Sequence, residues 1–247
     1  MRITRDVHIV GDGGTGLSHW LDCCVYLLNC GDQWVMIDAG GGSGGEEILA
    51  NIIEDGLEPS RIRTLILTHA HADHACSAKF FKEKLGVQII ASEVDARLIE
   101  SGTDQELGMG TARGPIFPSD YKYVHVDVDR KVRDGETIRI GDRDLTFIVV
   151  PGHTPGAMCV LSRKGGILFS GDVVFYNGTI GLGNWDGSEL GPYRANIGKL
   201  SGLGVRQLFP GHFMFALKDG QVHLDKAVAN LKLPWVPPVW GHNHPAR

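Results

Sequence analysis

At 247 residues the chain is long enough to bury a substantial core without disulfides, as one large domain or two small ones. Apolar residues make up 43% and charged residues 21%, which excludes a disordered or fibrous protein. A net charge of −5 with no Lys/Arg-rich stripe speaks against a broad nucleic-acid surface, and no apolar run reaches the roughly 18 residues of a membrane span.

Five cysteines, an odd number with no Cys-x-x-Cys pair, read as reduced thiols rather than a disulfide frame or a Cys-rich zinc site. The first residues lack an apolar signal core, so the cytoplasm is the expected location. A small molecule is the expected partner, with neither nucleic acid nor membrane, and association into a homo-oligomer is left open. Glycine is the outlier, 34 residues, clustered at 11–16, 40–45 and 178–187 between apolar runs. That pattern predicts tight loops on a sheet scaffold.

In chain order, residues 7–10 predict a short strand. Residues 24–29 (CVYLLN) and 34–38 (WVMID) flank Gly31-Asp32 and predict a hairpin. Ile48, Leu49, Ile52 and Ile53 fall on a helical period within 46–55. Residues 63–67 (RTLIL) predict a buried strand, 78–85 a helix, 87–91 a strand and 93–100 a helix. Residues 101–120 break the pattern and are expected to form an inserted loop, a lid over the pocket carrying Met109, Ile116 and Phe117. Strands are predicted at 123–128, 136–140, 145–150, 157–162 and 166–170, with a hairpin turn at Gly141-Asp142, and helices at 189–200 and 221–231. The proline-rich tail, 234–247, is expected to be irregular. The whole reads as one α/β domain over 1–247, two sheets covered by helices on the outside.

Four residues carry the chemistry most plainly. His69, His71, Asp73 and His74 lie in one turn after a predicted strand. Imidazole nitrogens and a carboxylate suit Zn²⁺, Fe or Mn²⁺. His69 and His71 can face one ion, and Asp73 and His74, past the bend, a second. His153 (VPGHTPG), Asp172 (FSGD) and His212 (FPGH) each follow an apolar run and a glycine. Taken singly, each also fits a loop histidine or a turn aspartate. Together with the first cluster they outline a metal site.

With Asp38 in MIDAG, these motifs resemble, in order, those of the metallo-β-lactamase superfamily, over about residues 7–233. The resemblance implies a four-layer αβ/βα sandwich with metals at one sheet edge. It implies His69, His71 and His153 on one ion, Asp73, His74 and His212 on another, and Asp172 bridging them. Asp73 and Asp172 become the catalytic carboxylates, and Asp38 orients ligands from behind. Two divalent ions, zinc first with iron or manganese as alternatives, can share a hydroxide that attacks a carbonyl. The expected function is hydrolysis of a carboxylic ester, thioester or lactone.

Substrate is a matter of the site, not the fold. Dedicated β-lactamases usually lack a bridging aspartate at Asp172, although promiscuous lactam hydrolysis stays open. Glyoxalase II and the persulfide dioxygenases typically continue the aspartate motif with Gly-Arg-x-Asp; here the stretch reads Gly181-Leu182-Gly183-Asn184, which speaks against glutathione. A mononuclear-iron persulfide dioxygenase is the alternative reading. Lactonases of acyl-homoserine lactones share the ligand set but often place a tyrosine three residues after the aspartate, where this chain has Phe175 and then Tyr176. His19, Trp20, Tyr176 and Trp185 are the candidate pocket residues. His242 and His244 echo a ligand pair but read as solvated tail.

Overall fold

The computed structural model describes residues 1–240. His242 and His244 lie outside the described residues.

The first sheet begins with β1 (Val7–Gly11), β2 (Val25–Asn29) and β3 (Trp34–Ile37), an antiparallel run. After α1 (Gly45–Glu54) the chain enters β4 (Ile62–Ile66), parallel to β3. The short α2 (Ala72–Ala75) and α3 (Ala78–Leu85) lead to β5 (Gln88–Ser92), and α4 (Glu93–Ser101) follows. Then come α5 (Met109–Ala112), a single turn within residues 101–120, and the edge strand β6 (Arg130–Val132). The sheet order is β1-β2-β3-β4-β5-β6.

The second sheet is made by β7 (Thr137–Ile140), β8 (Arg143–Val149), β9 (Met158–Ser162) and β10 (Ile167–Gly171). β11 (Ile180–Gly181) leads to α6 (Leu190–Asn196), which a 3₁₀ turn extends to Leu200. β12 (Gln207–Pro210) then lies parallel to β10, giving the order β12-β10-β9-β8-β7. α7 (Gly220–Leu231) and β13 (Val239–Trp240) complete the described chain.

Three apolar clusters define the layers. Val7, Tyr26, Val35 and Ile66 of the first sheet meet Phe147, Val160, Phe169 and Phe209 of the second, with almost no solvent contact. Ile48 and Ile52 of α1 and Phe81 of α3 cover the outer face of the first sheet. Tyr193 of α6 and Leu224, Ala227 and Leu231 of α7 cover the outer face of the second. The central strands of each sheet are thus buried on both faces, which is why they read as apolar runs, while the edge strands β6 and β7 keep exposed positions. The arrangement is the expected four-layer αβ/βα sandwich. No described helix is long and apolar enough to cross a membrane.

Two expectations are corrected. Residues 123–128 are not a strand. Tyr123, Val126 and Val128 are buried with the first layer's outer cluster, and the alternation of Val124, Val126 and Val128 with His125 and Asp127 mimics a strand. Their amides find other partners: Val126 N–H donates to Ile99 O and Val128 N–H to the Glu100 carboxylate. The tail is not wholly irregular either. Val239–Trp240 pairs in parallel with Ile180–Gly181, because the chain returns across the second sheet's outer layer. Within that tail Trp235 and Val236 remain exposed.

Strand direction gathers the chemistry at one edge. β3 and β4 are parallel, so the segments after both leave the same edge of the first sheet. β8 and β10 each run antiparallel to β9, and β12 runs parallel to β10, so their C-terminal ends also share one edge. Asp38, His69–His74, His153, Asp172 and His212 follow these five strands.

Candidate metal centre

The structure brings all seven residues of the expected set together, in two groups. Donor atoms of His69, His71 and His153 lie within 4.8 Å of one another, as do those of Asp73, His74 and His212. In the first group His153 Nε2 is 3.0 Å from His69 Nε2 and 2.8 Å from His71 Nδ1. In the second, His74 Nε2 is 3.2 Å from His212 Nε2, which is 3.1 Å from Asp73 Oδ2.

Asp172 stands between them. Its Oδ2 is 3.5 Å from His153 Nε2 and 3.5 Å from His212 Nε2, and its Oδ1 is 3.4 Å from His74 Nε2. Asp172 is 2% exposed, and its Oδ1 has no hydrogen-bond partner. A buried carboxylate oxygen without a donor costs free energy unless a cation satisfies it. Convergent imidazole lone pairs around that oxygen fit a divalent ion in the same way.

The outward nitrogens are held by the protein. His74 Nδ1–H donates to Asp38 Oδ2 at 2.9 Å, and His153 Nδ1–H donates to the Gly181 carbonyl at 2.8 Å. Thr68 donates its hydroxyl hydrogen to Asp38, so its oxygen accepts from His69 Nδ1–H at 3.1 Å. These bonds set each tautomer so that Nε2 keeps its lone pair facing inward. Asp38 itself adopts φ +60, a left-handed conformation uncommon for a non-glycine residue.

Burial and the neighbouring imidazoles push His69 well below the usual histidine range. Burial and His153 take His71 down to about 3. Burial lowers His153 as well. Burial disfavours the charged form of Asp73, yet His74 and His212 hold its carboxyl down at about 2. The first group is therefore neutral and ready to donate, while the second mixes a carboxylate with imidazoles.

Close approach is built in at Gly211. A Cβ there would sit 2.4 Å from Asp172 Oδ1 and 2.6 Å from His74 Cε1. Only glycine lets β12 pass this near the donors.

A cavity opens beside His71, Asp73, His153 and Asp172. Leu107, Met109, Ala112, Ile116, Phe117 and Trp185 supply its apolar walls, and no lysine or arginine lines it among the described residues. Five of those six come from the segment read as a lid. Trp185 Nε1–H donates to the His153 carbonyl at 3.1 Å, and its ring lies 5.3 Å from His71 and 5.4 Å from His153.

The other three candidate pocket residues do not line this cavity. Asp22 N–H donates to the His19 carbonyl and Leu21 turns into the core, which leaves Trp20 on the outside, 62% exposed. Tyr176 packs its ring 4.3 Å from His223 of α7, away from the donors. Phe175, one residue earlier, is buried with its ring 6.3 Å from His212.

Three residues near the site escaped the sequence reading. Cys23 has its sulfur within 4.8 Å of donor atoms of Asp38 and His74. The Tyr193 hydroxyl lies within 3.2 Å of the carbonyls of Asp172, Val173 and Gly181, behind the Asp172 carboxylate. Asp95 accepts hydrogen bonds from both loops that carry the first group. Of these, Asp95 alone left a trace, a Ser92-x-x-Asp95 pattern that marks a helix start but not what the carboxylate holds.

The geometry can be set beside known proteins. Over 213 residues the chain is 25% identical to the atrochrysone carboxyl ACP thioesterase of Aspergillus fumigatus, covering 84% of this chain and 56% of that protein. Over 160 residues it is 30% identical to the hydroxyacylglutathione hydrolase GloC of Haemophilus influenzae, covering 62% of this chain and 69% of that one. The chain thus spans little more than half the length of the fungal relative. Among solved structures, a metallo-beta-lactamase family protein from Thermus thermophilus shares the fold with a TM-score of 0.70 at 20% identity, over 94% of this chain and 81% of that one. The family model described as the metallo-beta-lactamase superfamily matches residues 20–212, a stretch that starts ahead of β2 and closes on His212. Fold, motif order and family model agree, and the chain belongs to the metallo-beta-lactamase superfamily.

Proposed function

We propose that the chain is a dinuclear metal-dependent hydrolase that cleaves a thioester, ester or lactone with an apolar acyl group. The observation that carries this reading is Asp172, a buried carboxylate with one unsatisfied oxygen set between two groups of inward-facing donors. His69, His71 and His153 would hold one ion, and Asp73, His74 and His212 the other, with Asp172 shared. Zinc suits these donors first, with iron and manganese as alternatives.

When bound, such a pair supplies Lewis acidity and a water acidic enough to give hydroxide at neutral pH. The chain's own residues orient the donors and exclude solvent. Asp38 and Gly181 fix the tautomers of His74 and His153. The walls of the cavity, from Leu107 to Phe117, suit the acyl part of the substrate, since apolar burial is the interaction they offer. With no lysine or arginine among the described lining residues, the walls offer an anionic acyl group no side-chain counter-charge. A single domain with 101–120 as its lid belongs to the same reading. The name of the Aspergillus relative, a thioesterase, supports a thioester, and that of the Haemophilus relative keeps glutathione thioesters among those to be assayed.

The test is a hydrolase screen over thioesters, aryl esters, lactones and β-lactams, with metal quantitation on the same sample. Two ions per chain and turnover of an acyl thioester or ester support the reading. One iron per chain with oxygen uptake on a persulfide would overturn it.

A further inference from the structure

Asp95 belongs to neither donor group, yet it holds the two loops that carry the first. It is the third residue of α4, where Ser92 caps the helix by accepting from Asp95 N–H at 3.2 Å. Its side chain is 1% exposed. Oδ2 accepts from Ala70 N–H at 2.9 Å and from the Thr154 hydroxyl at 2.6 Å, and Oδ1 accepts from Gly156 N–H at 2.7 Å. Ala70 sits between His69 and His71, and Thr154 follows His153.

We infer that Asp95 is a positioning residue that locks the His69–His71 turn against the His153 loop and so presets the three-imidazole group. The inference rests on the reading of those histidines as metal ligands given above.

Three features support it. First, the carboxylate is buried without a counter-charge, since no lysine or arginine pairs with it among the described ion pairs and hydrogen bonds. Such burial is costly unless several donors compensate. The donors here are two loop amides and one hydroxyl, helped by the positive end of α4. Second, the loops have been shaped to reach it. A Cβ at Gly156 would lie 2.5 Å from Asp95 Oδ1 and 2.4 Å from Ser92 Oγ, so the residue there must be glycine for the amide to come this close. The following peptide, Ala70–His71, is also pinned, by Tyr123 Oη–H donating to the Ala70 carbonyl at 2.8 Å. Third, the effect is one-sided. Ala70 adjoins His69 and His71 and Thr154 adjoins His153, whereas none of the groups that donate to the Asp95 carboxylate adjoins Asp73, His74 or His212.

An amide cannot replace the carboxylate. Asparagine has one accepting oxygen, and its NH₂ would face at least one N–H or O–H that needs an acceptor. The lock would loosen while side-chain volume stayed the same.

Cobalt(II) titration of the full chain against a competing chelator tests this, read by the visible spectrum. The variants are Asp95→Asn, Thr154→Val and Thr154→Ser. A His212→Ala background isolates the first group and a His71→Ala background the second. Asp95→Asn is expected to weaken cobalt binding at the first group about 10- to 100-fold and leave the second nearly unchanged. Thr154→Val should weaken the same group by less, and Thr154→Ser should restore it. Equal losses at both groups, or no loss at either in a folded variant, would overturn the positioning role. If Asp95→Asn does not fold, the Thr154→Val and Thr154→Ser pair decides by the same criterion. A wild-type chain that takes up no cobalt would instead overturn the ligand reading beneath it.

Discussion

Asp38 accepts the Nδ1–H of His74 at 2.9 Å and, through the hydroxyl of Thr68, also steadies His69. One carboxylate behind the site thus orients an imidazole from each donor group. Asp38→Ala should lower metal affinity about 10- to 100-fold, the usual scale for losing an outer hydrogen-bond partner of a ligand. Asp38→Asn should lose less, because asparagine tolerates φ +60 and keeps one acceptor oxygen. Competitive chelator titration of both variants gives the comparison, and equal affinities in wild type and Asp38→Ala would refute it.

On the proposed dinuclear reading, Asp172→Ala should reduce the metal content from two ions to one or fewer. Hydrolysis should fall by about 10²-fold or more, the scale of removing a group that stabilises charge in the reacting complex. Elemental analysis and turnover on the best substrate of the screen check both points. Full activity in Asp172→Ala would remove the shared carboxylate from the mechanism.

Gly211→Ala places a methyl group 2.4 Å from Asp172 Oδ1, with no room to yield except by moving a donor. Overpacking of this kind costs about 1–3 kcal/mol. The melting temperature should drop, and added zinc should raise it less than in wild type. A variant that melts and binds zinc like wild type would show that β12 can shift freely.

Ala112→Phe should fill the cavity between residues 107–117 and the donors. KM for a long acyl thioester should rise by about tenfold or more, since losing roughly two buried methylenes is already worth that much. KM for the acetyl thioester should stay near wild type. Equal effects on long and short acyl groups would move the acyl site elsewhere.

Asp95 gives the metal-free protein a pH signature. Burial lifts its carboxyl to about 6, from about 3.9 in an unfolded chain. The folded state therefore binds the proton more tightly than the unfolded state. Relative to Asp95→Asn, stability should fall as pH rises from about 4 to about 6 and then level off, by roughly 3 kcal/mol at most. Urea unfolding of both proteins across that window measures the difference. A parallel pair of curves would place the Asp95 pKa near its unfolded value.

What was legible in the sequence was local. His69, His71, Asp73 and His74 share one turn, so spacing alone groups them. His153, Asp172 and His212 stand out because each ends an apolar strand after a glycine, although only the superfamily resemblance ordered them. The role of Asp95 was not legible, because the Ser92-x-x-Asp95 pattern marks only a helix start and its side-chain partners are loop atoms 25 and 61 positions away. Residues 123–128 misled for a related reason. Val124, Val126 and Val128 alternate with polar residues as a strand would, but the amides of Val126 and Val128 bond to a helix end and a glutamate rather than a ladder. Trp185 was flagged by its place after the aspartate motif, but nothing distinguished it from Tyr176 until the fold turned one inward and the other onto α7.

The pairing of Val239–Trp240 with Ile180–Gly181 reaches further than its length suggests. Gly181 is the residue whose carbonyl holds His153 Nδ1, and Ile180 N–H donates to the Pro238 carbonyl at 3.1 Å. Removing the chain from Pro238 onward, or pulling on it with a bulky fusion, would free the strand that anchors a histidine far away in sequence.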